Sequence, residues 1–167
     1  RLEAHEAAAR LPADLAYIDP PYNQHSYLGN YHVWESLVLW DTPDVYGVAA
    51  KRVDCKTRKS PFNSKPRCAE AFRQVIKNLR TSAMVVSFNN EGYLPQDVLE
   101  PLLQERGHVH VVEREHRRYV GAQIGIHDPQ GRRVGEVSHV RNKELLYLVT
   151  PEPLSPDNIR HLETLSP

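Results

Sequence analysis

The stretch LAYIDPPY, residues 15–22, decides the fold that we predict for this chain of 167 residues. Leu15 to Ile18 form an apolar run that is too short for a helix, and the two prolines that follow end it. Such a run is typical of a buried strand in a parallel sheet, with a functional loop at the carboxyl end of the strand. The sequence therefore predicts a sheet whose site begins at Asp19.

Helix and strand patterns alternate along the rest of the chain. We predict helices at 2–11, 31–40, 67–79 and 94–106, and strands at 15–18, 83–88, 108–113 and 145–149. Trp34, Leu37 and Val38 stand at spacings of three and four, which suits packing of the second helix on the sheet. This alternation favours an α/β domain with crossover helices over residues 1–150, followed by a proline-rich C-terminal tail, 151–167.

Two further stretches lack helical periodicity. We predict a β-hairpin at about 123–137, because Asp128 to Gly131 have the proline and glycine placement of a type I turn. Residues 51–66 read as a loop, and from Lys51 to Arg67 we count seven basic residues against one acid, Asp54. Since the whole chain balances 21 basic against 21 acidic residues, any attraction to nucleic acid must come from such a local excess.

Composition limits the remaining classes. Cys55 and Cys68 lack the spacing of a metal site and are expected to be free thiols in a reducing compartment. Nine histidines occur without ligand spacing to other metal-binding residues, so no metal is expected. No apolar run has the length of a membrane span, which favours a cytoplasmic protein without membrane contact.

Residues 19–22 carry groups suited to methylating an aromatic amine. The lone pair of such an amine is delocalised into the ring, so acceptors aimed at its N–H groups must draw the nitrogen toward tetrahedral geometry. Asp19 supplies a carboxylate, while Pro20 and Pro21 supply stiff backbone carbonyls without competing N–H groups. Tyr22 offers a flat face for a base rotated out of the duplex. The alternative is that two prolines after an aspartate only make a rigid turn.

These residues resemble the fourth motif of the adenine-specific DNA methyltransferases, (D/N/S)PP(Y/F). The likeness extends through the following stretches: DPPYNQHSYLGNYHVWESLVLWD (19–41), KR (51–52), SPFN (60–63), VVSFNNEGYL (85–94) and RNKELLYLV (141–149). The resemblance implies site-specific N6 methylation of adenine in double-stranded DNA, with S-adenosylmethionine as the donor, as in restriction-modification systems. Across the family, serine at the first position is typical of cytosine N4 enzymes, so Asp19 points to adenine.

The resemblance also implies roles and a fold. Asp19 and the backbone of Pro20 and Pro21 would bind the adenine amino group, and Tyr22 would stack on the flipped base. The fold implied is the second half of a Rossmann-like methyltransferase sheet, with an inserted β-hairpin before an antiparallel last strand.

One family feature is missing from this sequence. Members carry an FxGxG-like cofactor loop after their first strand, and no glycine-rich turn joins a strand to a helix here. We therefore expect the donor-binding loop in a missing N-terminal half or a partner chain. The alternative function is a catalytically incomplete nucleic-acid-binding fragment, or half of a split methyltransferase.

Other candidates surround the motif. Arg58, Lys59 and Lys65 are placed to neutralise DNA phosphates, although charge runs are usually solvated surfaces. Tyr27 and Tyr31 could line the base pocket or fill the gap that a flipped base leaves, or they could belong to the core. Phe88 and Asn89 end the second predicted strand, where ligands of α/β sheets gather, and could line the pocket.

Overall fold

The computed structural model describes residues 2–21, 23–117, 126–127, 132–135 and 141–164. The helices are α1 (Ala4–Arg10), α2 (Tyr27–Leu39), α3 (Cys68–Asn78), α4 (Gln96–Gln104) and α5 (Pro156–Thr164). The strands are β1 (Leu15–Ile18), β2 (Val45–Tyr46), β3 (Lys51–Arg52), β4 (Ala83–Asn89), β5 (His108–Arg117), β6 (Ile126–His127), β7 (Arg133–Gly135) and β8 (Arg141–Thr150). Two 3-10 turns, Val53–Lys56 and Pro61–Asn63, lie in the stretch from Lys51 to Arg67, which we call the basic segment.

The main sheet has the strand order β1, β4, β8, β5. β1 is parallel to β4, whereas β8 is antiparallel to both of its neighbours, β4 and β5. The last strand in sequence is therefore inserted between two earlier ones. The predicted α/β class and the antiparallel direction of the last strand are both confirmed.

One face of this sheet carries the core. Side chains alternate along a strand, so Met84, Val86 and Phe88 of β4 point to the same face as their β8 partners Val149, Tyr147 and Leu145. Helices α3 and α4 cover this face with apolar side chains, among them Phe72, Ile76, Leu99 and Leu103. The spacing of the apolar residues in α3 predicted that helix. Burial of such side chains contributes about 1.5–3 kcal/mol each.

The opposite face of the sheet is covered only in part. Arg114 of β5 donates from its guanidinium to the carbonyl oxygen of Leu162 at 2.7 Å, which holds α5 beside β5. The predicted C-terminal tail thus contains a helix. Leu15 and Tyr17 of β1 point to this same face and are exposed, Tyr17 to 64%. We use the name open face for this side of β1 and β4.

Helix α2 does not pack on the main sheet, contrary to the prediction from the sequence. It begins at Tyr27, and its packing contacts are with β3 and the turn Val53–Lys56 rather than with the main sheet. None of its residues is buried, and Val38 is 82% exposed. The prediction that α2 packs on the sheet is wrong, because helical spacing shows which side chains share a face but not what covers that face.

The predicted hairpin falls largely outside the described residues. Within them, Ile126 pairs with Gly135 and His127 with Arg133 in antiparallel fashion. The turn at 128–131 is not among the described residues. β5 and β8 are longer than predicted, since each continues past the core into this region. Pro101 lies inside α4.

Candidate active site

Asp19 follows β1 directly and lies at the carboxyl end of two parallel strands. Its side chain is exposed, whereas the next residue, Pro20, is buried. Partial burial of the carboxyl group raises the pKa of Asp19 above its ordinary value, and the negative charge of Glu144 raises this pKa further. Asp19 is therefore an accessible carboxylate with a higher proton affinity than a solvated aspartate.

The loop after Asp19 is held by hydrogen bonds from three separate elements. The Tyr27 hydroxyl donates to the backbone carbonyl of Asp19 at 3.3 Å. The side-chain amide of Asn63 donates to two backbone carbonyls, those of Asn23 at 2.7 Å and His25 at 3.2 Å. A further hydroxyl, that of Tyr93, donates to the side chain of Gln24 at 3.3 Å. The loop is thus fixed to α2, to the second 3-10 turn and to the segment after β4.

Ser26 connects the loop to α2. It is the N-cap of the helix, where its hydroxyl oxygen accepts a hydrogen bond from the backbone N–H of Gly29 at 3.0 Å. A Cβ atom at position 29 would lie only 2.8 Å from this oxygen, so glycine suits the tight approach. Such caps stabilise a helix by about 1 kcal/mol. The helix therefore begins at a defined residue, close to the motif.

A cavity of about 400 Å3 opens beside this loop. It is lined by Glu3, Pro21, Ser26, Tyr27, Leu28, Arg58, Lys59, Ser60 and Asn63. The structure thus brings predicted catalytic and predicted DNA-binding residues together, although they are almost forty positions apart in sequence. Two of these residues, Arg58 and Asn63, each keep a buried side-chain polar atom without a hydrogen-bond partner.

An ion network joins α2 to the basic segment. Arg52 is 5% exposed, and its guanidinium donates to both carboxylate oxygens of Asp41, at 2.6 and 2.8 Å, and to Asp54 at 3.2 Å. Arg58 donates to Glu35 and to Asp54, each at 3.0 Å. Hydrogen bonds from Arg52 lower the pKa of Asp41, and those from Arg52 and Arg58 lower the pKa of Asp54.

This network changes how the basic segment is charged. The positive charges of Arg52 and Arg58 are each balanced by acids, so the local excess of basic charge rests on the lysines and Arg67. Lys56 lies over the ring of Tyr46, with Nζ 4.2 Å from the ring centre. Lys59 and Lys65 have exposed side chains, and Lys59 borders the cavity.

The remaining predicted site residues are placed differently. Phe88 is 2% exposed and packs edge-on against Phe72 in the core, with ring centres 6.2 Å apart. It points to the helix-covered face, so it does not line a pocket with Asp19. Asn89 is half-buried and accepts a hydrogen bond from the backbone N–H of Glu91 through its side chain. Tyr22, the aromatic residue of the motif, lies outside the described residues.

Tyr31 is near the site through Tyr27. The two rings are 6.4 Å apart and tilted by 56°, and both side chains are exposed. Two residues near the motif were missed by the sequence interpretation, Asn63 and Glu144. Each lies within a stretch that resembles the family, SPFN and RNKELLYLV, and that resemblance was the available signal.

The resemblance implies S-adenosylmethionine as the methyl donor, held by a glycine-rich loop. The described glycines are Gly29, Gly47, Gly92, Gly107 and Gly135. None of them belongs to a glycine-rich turn joining a strand to a helix, so these residues do not fit the donor-binding loop of S-adenosylmethionine. The described chain also holds no group of three or more residues suited to a metal ion, and none of its helices is both long and apolar enough to cross a membrane.

Three curated relatives are similar to this chain. The modification methylase StsI of Streptococcus sanguinis is 30% identical over 156 residues, 92% of this chain and 22% of that protein. The type II methyltransferase M.FokI of Planomicrobium okeanokoites is 32% identical over 105 residues, 63% of this chain and 16% of that protein. The type II methyltransferase M.CviAII of Paramecium bursaria Chlorella virus 1 is 32% identical over 109 residues, 65% of this chain and 32% of that protein.

The chain spans between about a sixth and a third of the length of these relatives. No solved structure matches it. Residues 1–89, which are more than half of the chain and include the motif and the basic segment, match the family described as D12 class N6 adenine-specific DNA methyltransferase. The chain therefore belongs to the D12 class of N6 adenine-specific DNA methyltransferases.

Proposed function

We propose that this chain supplies the adenine-binding part of a site-specific DNA methyltransferase that methylates N6 of adenine in double-stranded DNA. The observation that carries the proposal is Asp19, an accessible carboxylate at the end of a parallel strand, followed by buried Pro20 and a loop that three elements restrain. Family membership supports adenine as the base. S-adenosylmethionine is the methyl donor that this family membership suggests.

Asp19 and the two prolines would act on the acceptor nitrogen. A carboxylate oxygen of Asp19 accepts a hydrogen bond from one amino N–H, and a prolyl carbonyl accepts one from the other. Both interactions favour a tetrahedral nitrogen with an available lone pair. Rigid placement of these acceptors reduces the entropy lost in reaching the transition state. Tyr22 is proposed to stack on the flipped base, in keeping with its place in the motif.

The DNA backbone is proposed to pass the cavity beside Pro21 and Tyr27. Lys59 and Lys65 carry the exposed positive charges that would neutralise phosphates there. Arg58 lines the same cavity, but its pairing with Glu35 and Asp54 suits it to holding the segment in shape. Tyr27 and Tyr31 present exposed rings next to the motif and are proposed to contact the base or the gap it leaves.

A second candidate rests on a specific observation. The described residues do not fit the donor-binding loop, and the chain covers 22% of the relative StsI. The chain would then be a nucleic-acid-binding fragment, or half of a split enzyme that needs another chain for the donor. This candidate predicts DNA binding without methyl transfer by these 167 residues alone.

The test identifies the methylated base directly. The gene that encodes this chain is expressed in a host that lacks DNA methylation, and the host DNA is digested to nucleosides for mass spectrometry. We expect N6-methyladenine, and we expect it to disappear in Asp19→Ala. N4-methylcytosine in its place would overturn the proposal.

A matched control and a second arm complete the test. Asp14→Ala removes an exposed carboxylate five residues before Asp19 and should leave the N6-methyladenine signal unchanged. In the second arm, the 167-residue chain is given DNA and labelled S-adenosylmethionine. Salt-sensitive DNA binding without label transfer in that arm would favour the second candidate for this chain alone.

A further inference from the structure

A second carboxylate, that of Glu144, lies at the same end of the sheet as Asp19, where β1 and β4 have their carboxyl ends. The parallel register pairs Ile18 of β1 with Val86 of β4, so Asp19, the next residue, is level with Ser87. The Ser87 hydroxyl donates to a carboxylate oxygen of Glu144 in β8 at 2.7 Å. Alternation along the strands places these side chains on the face of the sheet opposite to the core. Asp19, directly after β1, Ser87 of β4 and Glu144 of β8 therefore form a diagonal row, since Glu144 pairs in register with Asn89 and not with Ser87.

Ser87 is the fixed member of this row. It is 3% exposed, and a hydroxyl buried in a strand requires a hydrogen-bond partner to offset the loss of water. Glu144 provides that partner, so its side chain is directed toward β4 rather than into solvent. The negative charge of Glu144 is thereby held near Asp19, although the two residues are 125 positions apart in sequence.

Three other charged or titratable groups among the described residues border the row. Tyr27 of α2 faces Asp19 and donates its hydroxyl to the Asp19 backbone carbonyl, and the pKa of Tyr27 is raised by burial and then by the charge of Asp19. Arg114 of β5 is the register partner of Glu144, and its guanidinium donates to the carbonyl oxygens of Glu113 and Leu162. Tyr17 of β1 lies on the same face and is exposed.

We propose that Glu144, held in place by Ser87, is a positioning residue that acts through Asp19 by keeping negative charge beside the acceptor carboxylate. This inference rests on the proposed adenine methylation. The amino nitrogen gains positive charge as it takes the methyl group, so two neighbouring carboxylates stabilise that state better than one. A nearby negative charge also makes Asp19 a stronger hydrogen-bond acceptor before the transfer.

The first experiment measures Asp19 without any reaction. The side-chain carboxyl carbon of Asp19 is followed by 13C NMR through an acid titration of the chain, in the unaltered protein and in Glu144→Gln. Glutamine keeps the acceptor for Ser87 but removes the charge, so the pKa of Asp19 is expected to fall. An unchanged titration would overturn the inference, and this readout is independent of which base the enzyme methylates.

The second experiment measures the rate. With Glu144→Gln we expect kcat to fall by about tenfold, the effect of one nearby unit charge in a partly solvated site. Because activity requires ionised Asp19, the acidic limb of the pH profile should move to lower pH. The matched control is Glu113→Gln, which removes an exposed carboxylate from the neighbouring strand β5, on the face opposite to Asp19.

The outcomes separate charge from structure. Ser87→Ala keeps the charge of Glu144 but frees its side chain, so its acidic limb should move in the same direction by a smaller amount. A lower kcat in Glu144→Gln with an unmoved acidic limb would mean a merely structural role and would contradict the inference. If the unaltered protein yields no N6-methyladenine, the proposed function fails, and the NMR titration still decides the electrostatic relation.

Discussion

The properties of Asp19 follow from its position at the end of a strand. β1 ends because Pro20 and Pro21 cannot donate to a strand ladder, and this leaves the carboxylate of Asp19 at the edge, where a substrate can approach. Partial burial and the charge of Glu144 raise the pKa of Asp19. This shift means that Asp19 does not stabilise the fold near neutral pH. A raised carboxyl pKa contributes stability only below the ordinary aspartate pKa, and that contribution is lost as the pH rises through the folded value.

Asp19→Ala should therefore separate activity from stability. We expect kcat to fall by about 10²–10³-fold, the usual effect of removing one group that stabilises the transition state. The melting temperature near neutral pH should stay equal or rise, since a partly buried carboxylate is removed. Steady-state kinetics and thermal melting check this together, and retained activity would remove Asp19 from its proposed role.

Asn63→Ala tests the restraint on the loop. The substitution removes the donor that binds the backbone carbonyls of Asn23 and His25, at about 0.5–1.5 kcal/mol for each hydrogen bond. We expect kcat to fall about tenfold or more, because misplaced acceptors lose much of the benefit of orientation. Asn78→Ala, at the exposed end of α3, is the control and should have full activity.

Hydrogen exchange of the Gln24 and His25 amides gives a second reading for the same variant. Faster exchange in Asn63→Ala, together with a lower kcat, would agree with a loop that has lost its restraint. Unchanged exchange and unchanged kcat would show that Tyr27 and Tyr93 hold the loop without Asn63.

At the scale of elements, α2 and the basic segment behave as one unit. Arg52 links Asp41 at the end of the helix to Asp54 in the first 3-10 turn. Both aspartates have lowered pKa values, so their interaction stabilises the fold above the ordinary aspartate range and is lost as the pH falls through the lowered folded values. The ion pairs that join α2 to the basic segment should therefore be lost at acidic pH.

Arg52→Met tests this acid dependence. Near neutral pH we expect the variant to melt at a lower temperature than the unaltered protein, because Asp41 and Asp54 lose their shared partner. As the pH falls below the lowered folded pKa values of Asp41 and Asp54, the two melting curves should converge, since the interaction is then absent in both. Parallel curves over the whole pH range would contradict the assignment, and Arg80→Met, an exposed arginine before β4, serves as control.

The charges of the basic segment differ in their expected effect on DNA binding. Lys59→Ala and Lys65→Ala should each reduce the slope of log affinity against log salt by about 1, as for a lysine that neutralises one phosphate. Arg58→Ala should reduce it less, because Arg58 is paired with Glu35 and Asp54. Fluorescence anisotropy at several salt concentrations measures the slope, with Lys77→Ala on α3 as control. A larger effect for Arg58 than for the lysines would refute this division.

Elements with a clear burial signal could be predicted from the sequence. β4 and α3 were predicted because their apolar residues have the pattern that burial imposes, and the motif at Asp19 was predicted from its chemistry. β1 was predicted correctly as a strand from its short apolar run, but the prediction that it is buried is wrong, since Leu15 and Tyr17 are exposed. The placement of α2 could not be found, since its exposed apolar residues have the same spacing as buried ones. Asn63 and Glu144 make contacts across 40 and 57 positions, to Asn23 and to Ser87, and such contacts can be identified only once the topology is known.

At the scale of the whole molecule, the described residues leave apolar side chains exposed on the open face and on α2. The open face exposes Leu15 and Tyr17, and α2 exposes Trp34 and Val38, with Trp40 directly after the helix. Contiguous exposed apolar patches of this kind are typical of surfaces that contact other protein or ligand. The chain also spans 22% of its relative StsI. We therefore expect these two surfaces to contact other protein or ligand.

Binding of the methyl donor tests whether the 167-residue chain contains a donor site. Isothermal titration of S-adenosylmethionine into the 167-residue chain should show no binding in the micromolar range, because these residues lack the glycine-rich loop of the family. Micromolar binding would refute this expectation and would place a donor site within these residues. Titration of a family member that carries the glycine-rich loop gives the positive control.

The exposed edge of β1 is expected to promote self-association of the purified chain at high concentration. Among the described strands β1 pairs only with β4, so its outer edge presents unpaired backbone groups. Edges of this kind template strand addition from a second chain, and the exposed Leu15 and Tyr17 would strengthen such a contact. A lysine at position 15 would place a charge on that surface, which is the way natural proteins keep such edges from aggregating.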